Sequence, residues 1–447
     1  MSTPPPRPVT PLPASTDLLA VGCGPFNLGL AALASTVDDL DLVVCEEHDE
    51  LSWHPGLMFD DALLQVSFLA DLVTLVDPGH PLSFLRYLRD RDRLYRFYVR
   101  ERFHPTRLEY QDYLRWAAER LPAVRFGHRV ENVTWDARAG RFAVGVRDTA
   151  GTTTTVLARD LVLGIGTEPS IPPALAGLPA DRLVHSGDYL HRAASVERAG
   201  RVTVVGSGQS GAEIALDLLR RGTDAPALSW LTRTPVFAPL DYSKLVLEMT
   251  TPDYVRYFHG LDGAVRDTLV AGQWRHYKGI SEATLEELHD VLYRRQLHPE
   301  ASDVELRSGV AVLGAEEDPA GGAVLTCHHA DTGREFRHRT DLVVAATGYR
   351  QRHPKFLAPL APAVHTDHAG RPVVRLDHSV ELDPHITGRV FVSNADLHSH
   401  GVAAPDLGIG AVRNATILNA VTGRECYRPP RDTAFTRFAA PTRDGGA

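Results

Sequence analysis

The chain has 447 residues, of which 43% are hydrophobic and 23% are charged, and its formal net charge is −9. This composition is typical of a globular protein with two or three domains, and the acidic balance gives no reason to expect nucleic acid or an anionic membrane as a partner. No apolar run approaches the roughly 20 residues that span a bilayer, and the Pro-rich start lacks a hydrophobic signal core. We therefore expect no membrane span, a cytoplasmic location and a disordered segment over residues 1–16.

A first glycine-rich turn, Gly22-Cys-Gly24-Pro25-Phe-Asn27, follows an apolar strand and opens a helix. The predicted strand, helix and next strand cover residues 17–21, 28–34 and 41–45. Gly22 permits a tight bend and Gly24 a close backbone approach to a pyrophosphate, which rests on the amides of the next helix. Glu46 follows the second strand, where a carboxylate accepts hydrogen bonds from a ribose hydroxyl. Asn27 replaces the usual third glycine, and the alternative is a structural turn with a solvated Glu46.

A second glycine-rich turn, Gly206-Ser-Gly208-Gln209-Ser210-Gly211, has the complete fingerprint of a dinucleotide site. Its predicted flanking strands cover residues 201–205 and 227–231. Arg233 follows the second of these strands, where an NADH site would carry a carboxylate. A guanidinium there offers two charge-assisted hydrogen bonds to a 2′-phosphate, which favours NADPH over NADH, although Arg233 could also be an ordinary surface arginine.

Two similar strands that end in small residues, at residues 160–169 and 341–349, predict where the chain crosses between the two nucleotide-binding halves. Two ordinary strands with glycine ends are the alternative. The predicted fold is α/β with two Rossmann-like domains, the second inserted into the first, and a small, mainly helical substrate region. The predicted parts are a first nucleotide-binding domain over 17–197 and 341–427, a second over 198–340 that includes the helical region at about 236–300, and a C-terminal tail over 428–447.

Cysteine and histidine spacing argues against disulfides and metals. Four scattered cysteines, Cys23, Cys45, Cys327 and Cys426, form neither a disulfide framework nor a CxxC site. The histidines in Cys327-His328-His329 and His398-Ser-His400 have no carboxylate or second ligand pair at metal spacing, so we predict no metal.

Taken together, these residues resemble the flavin-dependent N-hydroxylating monooxygenases of siderophore biosynthesis, which act on lysine, ornithine or diamines. The resemblance runs from about Asp17 to Tyr427 and is specific because many motifs match in order. They are Gly22-x-Gly24-Pro25-x-Asn27, Trp53-His54-Pro55-Gly56, Leu64-Gln65-Val-x-Phe68-Leu-x-Asp71-Leu, Ser83-Phe-Leu-x-Tyr-Leu88, the second glycine turn, Ala346-Thr347-Gly348-Tyr349 and His400-Gly401. The Asn27 substitution belongs to the family pattern.

The resemblance implies that NADPH reduces FAD, that oxygen adds at flavin C4a, and that the hydroperoxide transfers oxygen to an unprotonated primary amine. It implies FAD at the first turn and NADPH at the second. Gln65 matches a glutamine that contacts the flavin, and His276 lies in the segment near the substrate amine. Without the resemblance, Gln65 could be a strand-end polar residue and His276 a solvated loop residue. The implied cofactor-binding residues are Gly22, Gly24, Pro25, Asn27, Glu46, Trp53, His54, Gln65, Gly206, Gly208, Gln209, Ser210, Gly211, Arg233, Thr347, Gly348 and Tyr349.

The substrate-binding positions depart from the amino-acid hydroxylases and resemble the diamine branch. Ala70 stands where the lysine and ornithine enzymes carry a lysine that pairs with the substrate carboxylate, and Ala403 and Gly408 stand where the ornithine-type pattern has serines. An uncompensated carboxylate in a partly dry pocket costs several kcal/mol, roughly, so a substrate without one is favoured. Asp406 could meet a distal ammonium, or only cap the next helix. We therefore expect putrescine or cadaverine, with O2, as substrates of a homo-oligomer, either a dimer or a tetramer.

Overall fold

The structure is a computed structural model that describes residues 11–222, 225–298 and 303–441. The strands of this part of the chain are β1 Ser15–Val21, β2 Leu42–Cys45, β3 Val124–Arg125, β4 His128–Asp136, β5 Arg141–Asp148, β6 Thr153–Leu163, β7 Thr167–Pro169, β8 Leu183–His185, β9 Arg201–Val205, β10 Ala227–Leu231, β11 Val304–Arg307, β12 Val310–Glu317, β13 Ala323–His329, β14 Arg334–Thr340, β15 Leu342–Ala345, β16 Tyr349–Gln351 and β17 Val390–Val392. The α-helices are α1 Pro25–Ala34, α2 Phe84–Asp90, α3 Leu94–Arg100, α4 Arg107–Ala118, α5 Ala193–Glu197, α6 Gln209–Arg220, α7 Lys244–Leu247, α8 Pro252–His259, α9 Gly263–Gly272, α10 Arg275–Lys278, α11 Glu282–Arg295, α12 Leu397–His400 and α13 Gly410–Thr422.

The first sheet has the strand order β3-β2-β1-β6-β5-β4, and β17 also pairs with β6. Its central strand β1 is parallel to both β2 and β6. Residues 18–21 of β1 are buried on both faces because helices and loops cover the sheet on each side, as expected for a parallel sheet. Helix α1 is apolar nearly all round, since it is enclosed between this sheet and helices α4 and α13.

The second sheet has the order β11-β10-β9-β15-β8, and all of its strands are parallel. Helix α6 follows β9 and packs its buried face on this sheet. This topology confirms the predicted α/β fold with two Rossmann-like halves. The antiparallel strands β12, β13 and β14 form a small additional sheet.

Strand pairing corrects the predicted domain boundaries. Strands β8 and β15 belong to the second sheet, although the sequence assigned residues 183–185 and 342–345 to the first domain. The predicted disordered segment 1–16 is also too long, because Ser15 and Thr16 already pair with β6. Strands β7 and β16 pair antiparallel, so the two segments expected to cross between the halves lie side by side.

The predicted helical region contains helices α7 to α11, and the C-terminal tail packs against α8. The Phe438 ring lies 4.9 Å from the Tyr254 ring and 5.8 Å from the Tyr257 ring. The Asp253 carboxylate accepts a hydrogen bond from the Thr433 hydroxyl at 2.9 Å. The tail is therefore anchored to the helical region as far as the structure describes it. None of the helices in the described ranges is both long and apolar enough to cross a membrane.

Candidate active site

The first glycine turn connects β1 to α1 and can hold an anion. Gly22 has φ +89°, and a Cβ there would lie 2.5 Å from the Gly164 carbonyl oxygen, so only glycine fits. A Cβ at Gly24 would meet nothing within 4 Å. Helix α1 has no side-chain cap and no acidic residue in its first turn, with Pro25 near its start. Its first amides are thus available to a pyrophosphate, so the turn fits the group expected there.

Asn27 explains how the turn works without a third glycine. Its side chain is fully buried, and Nδ2 donates to the carbonyl oxygens of Val21 at 3.0 Å and Gly22 at 2.9 Å. The side chain fills the space in front of Gly164, where an added Cβ would lie 2.5 Å from it. Asn27 therefore ties the turn to the end of β1.

Glu46 lies beside this turn, as its spacing predicts. Its Oε2 accepts a hydrogen bond from the Cys23 backbone amide at 2.7 Å, and Oε1 accepts from the His48 amide at 3.0 Å. Its side chain is 14% exposed, so the carboxylate remains accessible at one edge. Ribose binding by Glu46 stays a prediction.

The second glycine turn connects β9 to α6 and repeats the same design. Gly206 has φ +120°, and a Cβ there would collide with the Ala346 carbonyl oxygen. A Cβ at Gly208 would meet only the Lys278 carbonyl oxygen, at 3.5 Å. Gly211 would clash with the Gly206 carbonyl, at 2.6 Å, if it carried a side chain. Helix α6 also lacks a side-chain cap and an acidic first turn, so this turn fits a second pyrophosphate.

Two cations lie near the second turn. Arg233 is exposed just after β10, and partial burial together with the Arg233 charge lowers the pKa of Lys278. In the described ranges, neither side chain forms an ion pair with a carboxylate. Two adjacent cations without counter-ions are suited to a phosphate. Sequence analysis missed Lys278 because it lies on α10, 45 residues after Arg233.

A cavity of about 250 Å³ lies between the two nucleotide-binding halves. It brings together several residues predicted from the sequence: Trp53, His54, Gln65, Ser210, His276, Tyr349 and Asp406. The other predicted cofactor-binding residues lie outside its lining: the glycines of both turns, Pro25, Asn27, Glu46, Gln209, Arg233, Thr347 and Gly348. Ala70, a predicted substrate residue, is buried and also lies outside this lining. A Cβ on Gly408 would lie 3.9 Å from the Ala70 Cβ and 2.9 Å from Asp406 Oδ1, so Ala70 and Asp406 both lie close to Gly408 although they are 336 positions apart.

The motif of Thr347, Gly348 and Tyr349 connects β15 to β16, and Tyr349 lines the cavity. The Thr347 hydroxyl donates to the Ser170 carbonyl oxygen at 2.5 Å. Gly348 has φ +78°, and its carbonyl oxygen accepts from the Ser170 amide at 3.0 Å. These bonds fix the Tyr349 ring 6.3 Å from the His54 ring. Direct cofactor contacts by this motif stay predictions.

Burial determines the charges of the titratable groups in the cavity. Desolvation, helped by the nearby Arg107 charge, lowers the pKa of His54 to about 4, so this imidazole is neutral at pH 7. Burial raises the pKa of Asp406, although the Gly408 amide and the Arg413 charge lower it. Burial and the Asp406 charge raise the pKa of Tyr242, which therefore stays protonated beside this carboxylate.

Asp406 and His276 each have a polar side-chain atom without a hydrogen-bond partner among the residues that the structure describes. Asp406 Oδ1 accepts from the Gly408 amide at 2.6 Å, and α13 begins only at Gly410, after Ile409 as its N-cap. The turn therefore uses one carboxylate oxygen, and the helix does not need Asp406 as a cap. His276 Nδ1 is buried and has no hydrogen-bond partner among the described residues. Because both residues also line the cavity, they are candidate contacts for a ligand.

Arg107 is a second functional candidate that the sequence did not reveal. It opens α4, lines the cavity and forms a buried ion pair with Glu213 of α6. No local pattern could have shown this contact, because the two residues are 106 positions apart.

The prediction that no carboxylate lies at metal spacing from His400 is wrong. Asp396 is the N-cap of α12, four residues before His400, and the ligand atoms of His378, Asp396 and His400 all lie within 4.8 Å of one another. The charge of buried Arg413 and the hydrogen bond from His378 lower the pKa of Asp396 against the effect of its burial. Arg413 thus already supplies a positive charge to this carboxylate, and the absence of a metal stays a prediction.

Comparison with known proteins agrees with this geometry. Residues 14–351 match the family model of L-lysine 6-monooxygenase/L-ornithine 5-monooxygenase. The chain is 41% identical to the rhizobactin siderophore biosynthesis protein RhbE of Rhizobium meliloti, over 95% of each chain. It is 38% identical to the putrescine N-hydroxylase of Shewanella oneidensis, over 95% of this chain and 84% of that protein.

A solved structure is also similar. The FAD-bound cadaverine monooxygenase DfoA of the desferrioxamine pathway of Erwinia amylovora has a TM-score of 0.91 and 40% sequence identity, over 96% of this chain and 99% of that one. The match covers both halves and the helical region between them. This chain therefore belongs to the L-lysine 6-monooxygenase/L-ornithine 5-monooxygenase family.

Proposed function

We propose that this protein is an FAD- and NADPH-dependent monooxygenase that hydroxylates one primary amine of putrescine or cadaverine for a hydroxamate siderophore. The observation that carries the proposal is a cavity whose described lining includes the Asp406 carboxylate but no Arg or Lys that is free to pair with a substrate carboxylate. Two similar proteins are named as a putrescine N-hydroxylase and a cadaverine monooxygenase, which supports a diamine.

Charge in the cavity argues against the runner-up substrates, L-lysine and L-ornithine. Arg107 is the one Arg or Lys among the described residues that line the cavity. Both of its terminal nitrogens already donate to the Glu213 carboxylate, at 2.8 Å and 2.7 Å. A substrate carboxylate would have to compete with this ion pair or remain uncompensated. A diamine avoids that cost.

The chain's own residues bind and orient the amine. The second carboxylate oxygen of Asp406 can accept a hydrogen bond from the distal ammonium of the diamine. Because Ala70 is uncharged, position 70 does not repel this ammonium. Tyr242, which stays protonated, adds a hydroxyl to the same end of the cavity. We assign His276, through its free ring nitrogen, to the reacting amine, which must be unprotonated to accept oxygen.

The remaining wall excludes water. Apolar side chains of Leu57, Leu64, Val66, Leu240, Val402 and Leu407 line the cavity. Bound FAD, once reduced by NADPH, supplies the oxygen activation, and a dry site limits loss of that oxidising equivalent as hydrogen peroxide. We assign Gln65, which lines the same cavity, to contact the flavin.

A substrate panel tests the proposal. Purified, FAD-loaded protein is supplied with NADPH and with putrescine, cadaverine, L-lysine or L-ornithine, and hydroxylamine formation is measured. We expect kcat/KM to be highest for one of the two diamines. Greater activity on lysine or ornithine than on either diamine would overturn the diamine assignment.

The same assay excludes a more distant alternative, a flavin- and NADPH-binding redox sensor. A sensor would consume NADPH without stoichiometric hydroxylated product, whereas we expect hydroxylamine in proportion to NADPH. We also propose a cytoplasmic homo-oligomer, a dimer or tetramer, which light scattering of the purified protein would test.

A further inference from the structure

A chain of polar contacts runs from the interface between the two nucleotide-binding halves into the cavity. It begins at the buried ion pair of Arg107 and Glu213 and passes through Gln209 to Gln65. Arg107 and Gln65 belong to the first half, whereas Gln209 and Glu213 lie on α6 of the second. The contacts therefore couple the docking of the halves to a side chain in the cavity wall.

The ion pair has the geometry of a specific connection between the halves. Arg107 Nη1 and Nη2 donate to the two carboxylate oxygens of Glu213, in a two-pronged arrangement that fixes direction as well as distance. The side chains are 14% and 8% exposed, so solvent screens them little. Arg107 also donates to the Leu57 carbonyl oxygen at 3.3 Å, which anchors it within the first half. Burial raises the pKa of Glu213, and the charge of Arg107 opposes that effect.

Gln209 is held at both ends of its amide. Its Oε1 accepts from the Ser281 backbone amide at 2.8 Å, and its Nε2 donates to Glu213 Oε1 at 2.9 Å and to the Thr284 hydroxyl at 3.1 Å. The backbone donor at Ser281 fixes which end of the amide faces which partner. Gln209 cannot flip without losing these bonds.

The fixed orientation of the Gln209 amide also determines the orientation of the Gln65 amide. Gln65 Nε2 donates to Gln209 Oε1 at 3.3 Å, so the amide of Gln65 must turn its nitrogen toward the second half. Its carbonyl oxygen and remaining hydrogen are then available to the cavity. A shift of α6 relative to α4 would break the ion pair and release Gln65 at the same time.

We propose that Arg107, Glu213 and Gln209 form an interdomain latch that orients Gln65 and makes productive turnover depend on correct docking of the NADPH-binding half. These are positioning residues. The inference rests on the proposed function only in that the product is taken to be a hydroxylamine. When the latch is disturbed, more NADPH and O2 end as NADP⁺ and hydrogen peroxide, and NADP⁺ binds less tightly because the second half docks less well.

Glu213→Gln is the main test, since it keeps the shape of the side chain but removes the charge. In FAD-loaded protein, we expect the hydrogen peroxide formed per NADPH to rise at least threefold, and the dissociation constant of NADP⁺, measured by titration without substrate, to rise at least threefold. Arg107→Lys keeps the charge but not the two-pronged bond and should give an intermediate result.

Gln209→Met tests the relay separately, because it leaves the ion pair intact. We expect increased peroxide with a melting temperature close to that of the wild type, so this variant decides the matter if Glu213→Gln does not fold. Asp61→Asn is the matched control. It weakens an exposed ion pair between Asp61 and Arg220 that joins the same halves but does not touch Gln209.

Wild-type peroxide fractions in both Glu213→Gln and Gln209→Met would overturn the latch, as would an equal rise in Asp61→Asn. Failure of the proposed function has a different signature. A wild-type protein that yields no hydroxylamine from any amine would refute the substrate assignment, while the NADP⁺ dissociation constants would still test the latch.

Discussion

The two glycine turns meet the same backbone requirement in different surroundings. In each, the first glycine has a positive φ and no room for a Cβ, and the second faces space free of side chains. The first turn lies beside Glu46, whereas the second lies beside the exposed Arg233 and Lys278. The backbone of each turn is thus suited to a pyrophosphate, and the side chains beside the two turns differ in charge. We expect this difference in charge to determine which nucleotide each half prefers.

The largest effect is expected from a substitution within the first glycine turn. Gly24→Val adds a side chain that meets no protein atom near its Cβ but occupies the expected path of the pyrophosphate, so the protein should fold and be colourless. Flavin absorbance per protein and the melting temperature measure the two effects. Gly22→Ala is the contrasting variant, since positive φ and the close Gly164 carbonyl should reduce stability itself. A folded Gly24→Val protein with full flavin content would remove the FAD assignment from this turn.

The next largest effect is expected at Arg233, which distinguishes the second turn from the first. Arg233→Ala should raise the apparent dissociation constant for NADPH by one to two decades, because a lost charge-assisted contact costs about 1.5–3 kcal/mol. The constant for NADH should hardly change. Lys278→Ala should act in the same direction if both cations hold the 2′-phosphate. Equal effects on both nucleotides would contradict the assignment of Arg233.

Ala70→Lys tests whether a residue of the first half determines the preference for a diamine over an amino acid. A lysine beside Asp406 would repel a distal ammonium and attract a carboxylate, and partial desolvation strengthens both effects. The ratio of kcat/KM for the diamine to that for the amino acid of matching chain length should fall at least tenfold, or about 1.4 kcal/mol. Ala70→Met controls for side-chain length. An unchanged ratio in Ala70→Lys would mean that position 70 does not influence the substrate tail.

The smallest effect is expected in the pH dependence of the KM for the diamine. Because burial raises the pKa of Asp406, its carboxylate becomes neutral, and loses its attraction for an ammonium, as pH falls through that raised value. Asp406→Asn should therefore raise the KM for the diamine about threefold to tenfold above this pH, and the two proteins should converge below it. Comparing the proteins at each pH cancels the titration of the diamine. A KM ratio that does not vary with pH would show that Asp406 is not the titrating partner.

Local sequence was sufficient for the strands and turns that build both nucleotide sites. Strands β9 and β10 begin and end where the pattern places them, because short buried apolar runs bounded by turn residues are local signals. The first glycines were identifiable because positive φ is a property of a single residue. Asn27 could be assigned by resemblance, but its hydrogen bonds to the end of β1 required the structure.

Other features depended on contacts between distant segments. Strand β15 belongs to the second sheet because it pairs with β8 and β9, which its own sequence does not reveal. The approach of Asp396 to His378, and of Arg107 to Glu213, likewise follows from packing of one element against another. Periodicity reports which face of an element is buried but not which partner covers it. The sequence therefore determined the two glycine turns and the family of this protein, and only the tertiary structure decided how the two halves meet around the cavity.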